Sequence, residues 1–131
     1  MAIWLQSVGT HSERLDPDWI RNGDELLGSV WTTKHPNQWA IGDIVVYYAS
    51  GHGSIVAIVE IEGEAAGGEG GRWQWRTAVR PVVVLDVEAA PLLEGAGLRP
   101  VRDYKRLTAT EYNRICDLVS DALKFPPEDM L

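Results

Sequence analysis

The chain has 131 residues, 45% of them hydrophobic, and no apolar run approaches the roughly 18 to 20 residues of a membrane span, so one soluble domain is expected. Its one cysteine, Cys116, excludes an internal disulfide and a cysteine-cluster zinc site. A formal net charge of −7 argues against a protein that holds duplex nucleic acid mainly by neutralising phosphates.

The first half of the chain predicts a strand, a short helix and a hairpin. Residues 2–6 are apolar enough for a first strand, but they lack the basic segment of a secretory signal, which favours the cytoplasm. Asp16 followed by Pro17 is a helix-start signal. Residues 44–49 and 55–61 are β-branched runs around a glycine-containing turn, the pattern of a β-hairpin.

The second half predicts a loop, a long strand and a C-terminal helix. Residues 62–71 hold five Gly, three Glu and two Ala, which predicts a mobile loop. Beyond it, residues 72–80 alternate between one strand face that carries Trp73 and Trp75 and another that carries arginines. Residues 82–85 form a strand that we expect to be buried on both faces. Leu92 and Leu93 suggest a short helix. Thr108 and Glu111 fit a capping box, which predicts an amphipathic helix ending before Pro126.

These elements indicate the fold class. Five or six strands with two or three short helices predict an α+β domain whose strongly curved mixed sheet closes as a small barrel. No internal repeat divides the chain, so residues 1–131 are predicted to be a single domain with the flexible loop at residues 62–71.

Six tryptophans give the chain its main candidate for a ring-binding site. Trp4 and Trp19 lie in a strand and a helix-like segment, where core packing is the simpler interpretation. Trp31 lies in an irregular, hydroxyl-rich stretch, which favours a binding site. Trp73 and Trp75 share one strand face, so a stacking surface and a barrel interior are equally consistent with the pattern.

Basic residues cluster between positions 72 and 106, where seven basic and four acidic residues leave a local net charge of +3. Solvated surface charge and a phosphate-binding patch fit this cluster about equally. The candidates for phosphate contacts are Arg76, Arg80, Arg99, Arg102, Lys105 and Arg106, of which Arg102 is preferred.

Catalytic and metal-binding patterns are weak. His11, His35 and His52 have no metal-ligand spacing, Cys116 lies on the apolar face of the predicted helix, and no carboxylate pair has a context that would raise its pKa. The sequence therefore predicts neither an enzyme nor a cofactor.

Several segments together resemble the EVE domain, a family of the PUA-like superfamily related to the YTH readers of methylated RNA. The resemblance is carried by Trp4-Leu5-Gln6-Ser7, by Val30-Trp31-Thr32-Thr33 with Asn37, by residues 41–50 and 55–60, by Arg80-Pro81-Val82 and by residues 107–112. Two features depart from the family: Ser7 is not followed by Glu-Pro, and the histidine typical of the hairpin strand is absent, with His52 close by.

The resemblance implies a pseudo-barrel whose cleft holds one modified base in an aromatic cage. The implied base-binding residues are Trp31, Thr32 and Asn37, and the hypothesis adds Ser7, Tyr48, Ser50 and Trp73 or Trp75. The implied partner is DNA or RNA carrying a modified base. An effector protein or domain is a further candidate partner. The alternative is a small-molecule-binding or regulatory protein-interaction domain, which the net charge of −7 favours.

Overall fold

The computed structural model describes residues 1–9, 15–21, 23–67, 75–101 and 104–124. Trp73, Arg102, positions 68–71 of the predicted loop and the predicted helix stop at Pro126 lie outside this set. The described strands are β1 Ile3–Val8, β2 Ser29–Thr32, β3 Ile44–Ala49, β4 Ser54–Ile61, β5 Ala66–Gly67, β6 Trp75–Val84 and β7 Tyr104–Leu107. Helix α1, Ala109–Lys124, follows β7, and two short 3-10 helices lie at Glu25–Leu27 and Leu93–Ala96.

The strands form one mixed sheet in the order β2-β6-β4-β3-β1-β7, with β5 also paired to β6. β1 and β3 run parallel and the other pairs are antiparallel, so the predicted hairpin is present as β3 and β4. The α+β class is confirmed, but the sheet curls into a half-barrel instead of a closed barrel. Within the described strands, β2 and β7 are its two edges.

Both faces of the central sheet are covered, which explains why every residue of β3 is buried. The face opposite α1 packs a core that includes Trp4 and Trp19, 3% and 0% exposed, and this confirms their predicted core role. The other face packs Leu5, Val46 and Ile55 against α1 through Ile115 and Val119. A hydrophobic stripe on one 16-residue helix thus covers the back of the sheet.

Helix α1 begins as its sequence predicts. Thr108 N–H donates to Glu111 Oε1 at 2.9 Å, and Glu111 N–H donates to Thr108 Oγ1 at 3.1 Å. These reciprocal bonds satisfy two donors that the first helical turn would otherwise leave unpaired. Among the described residues, no helix is long and apolar enough to cross a membrane.

Two local predictions were wrong. Asp16 does not start a helix: its Oδ1 accepts from Asp18 N–H at 2.9 Å, and this local bond closes a turn instead. Residues 82–85 are not uniformly buried, because Val82 is 51% exposed. In the pairing of β4 with β6, Ile58 opposes Val83 and Val59 opposes Pro81, so Val82 is the extra residue of a β-bulge.

Tyr48 joins the sheet to the segment before β7. Its hydroxyl donates to Val101 O and accepts from Val101 N–H, both at 2.7 Å. Replacing Tyr48 with Phe should lower the free energy of unfolding by about 1 to 3 kcal/mol, because both backbone groups lose their partner. Urea unfolding at an unchanged m-value would measure this loss.

Tyr47→Phe is the matched control for that variant, since the Tyr47 hydroxyl makes one described hydrogen bond, to Leu26 O at 3.0 Å. Its expected loss is about 0.5 to 1.5 kcal/mol. An equal or larger loss in Tyr47→Phe than in Tyr48→Phe would contradict the assigned role of Tyr48.

Candidate functional site

Four of the predicted site residues meet on two paired strands at one edge of the half-barrel. Trp31 opposes Arg76, and Thr32 opposes Trp75, in the antiparallel pairing of β2 with β6. Thr32 is the last residue of β2 and Trp75 is the first of β6, so these pairs form the end of the ribbon. Because side chains alternate along a strand, the two pairs lie on opposite faces and border the same ribbon end.

On the outer face, Arg76 lies over the Trp31 indole, with its guanidinium carbon 5.7 Å from the ring centroid. Trp31 is half-buried, and its Nε1 is buried without a hydrogen-bond partner among the described residues. Arg76 is exposed, and no described carboxylate forms an ion pair with it. The pair therefore combines a ring for stacking with a guanidinium that has no described counter-charge.

On the opposite face of the strand pair, Thr32 is fully buried, and its hydroxyl donates to Lys34 O at 2.7 Å. The half-buried Trp75 ring meets His35 edge-on, with centroids 4.3 Å apart. Thr77 is also buried here, and its Oγ1 has no partner among the described residues. This face offers a second ring beside hydroxyl groups.

The other predicted base-binding residues lie elsewhere. Asn37 is exposed on the segment that follows β2. Ser7 and Tyr48 oppose each other in the parallel pair β1 and β3, and Tyr48 packs in the helix-covered core. The pKa of Tyr48 is raised above its ordinary value because burial raises it by more than the hydrogen bonds with Val101 and Ser7 lower it. Ser50 is half-buried and donates its backbone N–H to Val8 O at 2.8 Å.

Two of the predicted phosphate-binding residues are already paired with carboxylates. Arg80 forms ion pairs with Glu60 and with Glu62, the latter at 3.7 Å. Lys105 lies 3.9 Å from Glu111. Arg76, Arg99 and Arg106 are the predicted phosphate ligands that form no ion pair with a carboxylate within the described part of the chain, and of these Arg76 lies at the ribbon end beside Trp31.

Three structural comparisons show what this architecture resembles. Protein Atu2648 from Agrobacterium tumefaciens is 21% identical with a TM-score of 0.56, covering 91% of this chain and 93% of that one. The Mmi1 YTH domain is 9% identical with a TM-score of 0.66, covering 95% and 98%. The YTH domain of the Zygosaccharomyces rouxii MRB1 protein, in complex with N6-methyladenosine RNA, is 15% identical with a TM-score of 0.55, covering 90% and 86%.

The fold is PUA-like. Neither the models of protein families nor the sequences of curated proteins match this chain. At such low identities the structural matches establish the PUA-like fold alone.

The PUA-like half-barrel carries a second aromatic cluster that the sequence analysis did not predict, at the β1–β7 edge. The rings of Trp4, Trp39 and Tyr104 lie 5.1 to 6.3 Å apart, and Arg106 lies over Trp4 at 6.0 Å. Nearby, an open groove of about 530 Å³ is lined by Met1, Ile3, Arg106, Leu107, Thr108 and Ala109. The sequence did not reveal this edge because β7 is a short and largely polar strand with little hydrophobic periodicity.

Asp43 anchors this cluster to the first strand. Its carboxylate accepts from Ala2 N–H at 3.0 Å, Trp4 Nε1–H at 3.2 Å and Ala40 N–H at 3.0 Å. Burial alone would raise the pKa of Asp43, but these three hydrogen bonds together hold it below its ordinary value. The ionised carboxylate therefore fixes the indole of Trp4 and the chain entering β3.

Proposed function

We propose that this protein is an EVE-type binding module that recognises a modified, methylated base in nucleic acid without changing it chemically. The observation that carries the proposal is the Trp31–Arg76 pair at the end of the β2–β6 ribbon. It is supported by the fold, which this chain shares with a YTH domain solved in complex with N6-methyladenosine RNA.

In this proposal the base stacks on Trp31 at the ribbon end, on the face that also carries Arg76, while Trp75 borders the same end from the opposite face. Stacking on an aromatic side chain is worth about 1 to 3 kcal/mol per base, and it tolerates any base because every base has a π-face. Discrimination must therefore come from polar groups and from space for the modification. Asn37, exposed on the segment that follows β2, is the amide side chain nearest to Trp31 in the sequence. Thr32 follows Trp31 directly, but it is buried on the opposite face and its hydroxyl already donates to Lys34 O.

Arg76 would hold the phosphate of the extruded nucleotide. It already lies over Trp31, so a phosphate bound to it would be held next to the stacked ring. One phosphate contact agrees with the chain's net charge of −7, which disfavours a broad electrostatic footprint on a duplex. Single-stranded nucleic acid is accordingly the expected partner.

Fluorescence anisotropy with single-stranded octamers tests this function. The panel pairs unmodified RNA and DNA with octamers carrying N6-methyladenine, 5-methylcytosine or 5-hydroxymethylcytosine. One modified octamer should bind about tenfold or more tightly than its unmodified counterpart, an advantage of about 1.4 kcal/mol. Affinity should fall with salt at a log–log slope of about −0.7 per phosphate contact. Equal affinities across every modified and unmodified pair would contradict the proposal.

A small-molecule-binding or regulatory role is the second candidate. The observation that favours it is the pairing of Arg80 and Lys105 with carboxylates, which makes two of the predicted phosphate ligands less available to a polymer. Binding of a free modified nucleoside with no dependence on salt would support this alternative.

A further inference from the structure

On the face of β1 that carries Trp4, a buried side-chain carbonyl has no hydrogen-bond partner within the described part of the chain. Gln6 is fully buried, and its Nε2 donates to Ser7 O at 2.9 Å. Because the Ser7 carbonyl oxygen can only accept a hydrogen bond, the atom of the Gln6 amide that faces it must be the NH2 nitrogen, and the other atom of the amide is Oε1. This Oε1 is buried and has no hydrogen-bond partner among the described residues. Leaving such an acceptor unpaired costs stability, so native proteins rarely keep one without a reason.

A buried donor lies in the same aromatic cluster. Gln6 opposes Tyr104 across the β1–β7 pair, and the Tyr104 ring lies 5.1 Å from the ring of Trp39. Trp39 Nε1 is likewise buried without a partner among the described residues. An acceptor and a donor thus border one tyrosine ring, and this set of Gln6, Trp39 and Tyr104 is called the Gln6 cluster below.

The Gln6 cluster lies beside a free edge of the half-barrel. Within the described strands, β7 pairs only with β1. Trp39 and Tyr104 are both partly exposed, and Trp39 belongs to a segment without strand or helix between β2 and β3. Because Trp39 lies outside the strands, an outward rotation of its side chain would break no described strand pairing.

We propose that the Gln6 cluster is a second binding site, separate from the Trp31 site, for one neutral lactam-type heteroaromatic ring such as uracil or hypoxanthine. Such a ring carries an N–H beside a C=O on one edge. The N–H donates to Gln6 Oε1, the C=O accepts from Trp39 Nε1–H, and Tyr104 packs against the ring. A neutral ring fits because the two groups it would meet, the Gln6 carbonyl and the Trp39 N–H, are uncharged and buried, where a charged ligand would lose its hydration.

Thermal shift and calorimetric titration of the full chain test this site with uracil, hypoxanthine and 1,3-dimethyluracil. At least one of the two lactams should raise Tm and bind, because a ligand that binds only the native state stabilises it. 1,3-Dimethyluracil keeps the ring but has no N–H, so its affinity should be at least about tenfold lower, as expected for one lost hydrogen bond.

Two variants decide the residue assignment. Gln6→Leu removes the amide and Trp39→Phe keeps a ring without its donor, and each should weaken lactam binding by about tenfold. Gln38→Leu makes the same substitution at an exposed position of the neighbouring segment and should bind as wild type. If Gln6→Leu fails to fold, Trp39→Phe decides alone.

The proposal is overturned if neither lactam binds the wild-type protein, if dimethyluracil binds as well as uracil, or if both folded variants keep wild-type affinity. In none of these cases is octamer binding at Trp31 affected, so the test separates this site from the proposed function. Conversely, lactam binding that persists when no octamer binds would leave the Gln6 cluster standing on its own.

Discussion

Replacing Trp31 with alanine should weaken binding of the preferred modified octamer by about 10- to 100-fold, because one stacked base is worth about 1 to 3 kcal/mol. The loss includes the support that the indole gives to Arg76, whose guanidinium carbon lies 5.7 Å from the ring centroid. Trp31→Phe keeps an aromatic face and should recover part of the affinity. Anisotropy titration of all three proteins measures the series.

A fold defect must be separated from a binding defect, since Trp31 is half-buried. Circular dichroism and urea unfolding of Trp31→Ala provide that check. Val82→Ala is a suitable comparison, because Val82 is an exposed bulge residue on the same long strand β6 and should bind as wild type. Unchanged octamer affinity in a folded Trp31→Ala would remove Trp31 from the binding site.

Asp43→Ala should have the largest effect on stability, with a loss of about 3 to 5 kcal/mol. The substitution leaves three donors without their acceptor: Ala2 N–H, Ala40 N–H and Trp4 Nε1–H. Trp4 is buried at the centre of the β1–β7 edge cluster, so its indole would also lose its orientation. Chemical denaturation at neutral pH measures the loss, and the exposed Asp86→Ala serves as the control.

The Asp43 carboxylate also makes the free energy of unfolding depend on pH. Because the pKa of Asp43 is lowered in the folded state, its contribution is complete above the ordinary aspartate pKa and disappears as the pH falls through the folded-state value. The stability difference between wild type and Asp43→Asn should therefore shrink in acid. A difference that stays constant from neutral pH to strong acid would contradict the assigned ionisation.

Local patterns predicted the local structure well. The β3–β4 hairpin followed from two β-branched runs around a glycine-containing turn, and the start of α1 followed from Thr108 and Glu111. The alternation along β6 was also correct for its described residues, since Thr77 and Val79 are buried and Arg76 and Arg80 are exposed. These features depend on residues close together in sequence.

Long-range pairing could not be read in the same way. Trp31 meets Arg76 because β2 pairs with β6, although the two strands are more than forty positions apart in the sequence. Hydrophobic periodicity does not predict which strands pair or in what register. Arg80 looked like a phosphate ligand because Glu60 and Glu62, its partners across the sheet, are distant in sequence. The β1–β7 cluster was missed for the same reason, since its aromatic residues come from three separate segments.

The placement of β1 has a consequence for biosynthesis. β1 lies between β3 and β7, so among the described strands one side of β1 has no partner until Tyr104–Leu107 has been translated. Until then, the nascent chain carries an unpaired apolar strand edge, the kind of surface on which polypeptides associate with one another. Chains stalled or cleaved before β7 should therefore be prone to aggregation and dependent on chaperones.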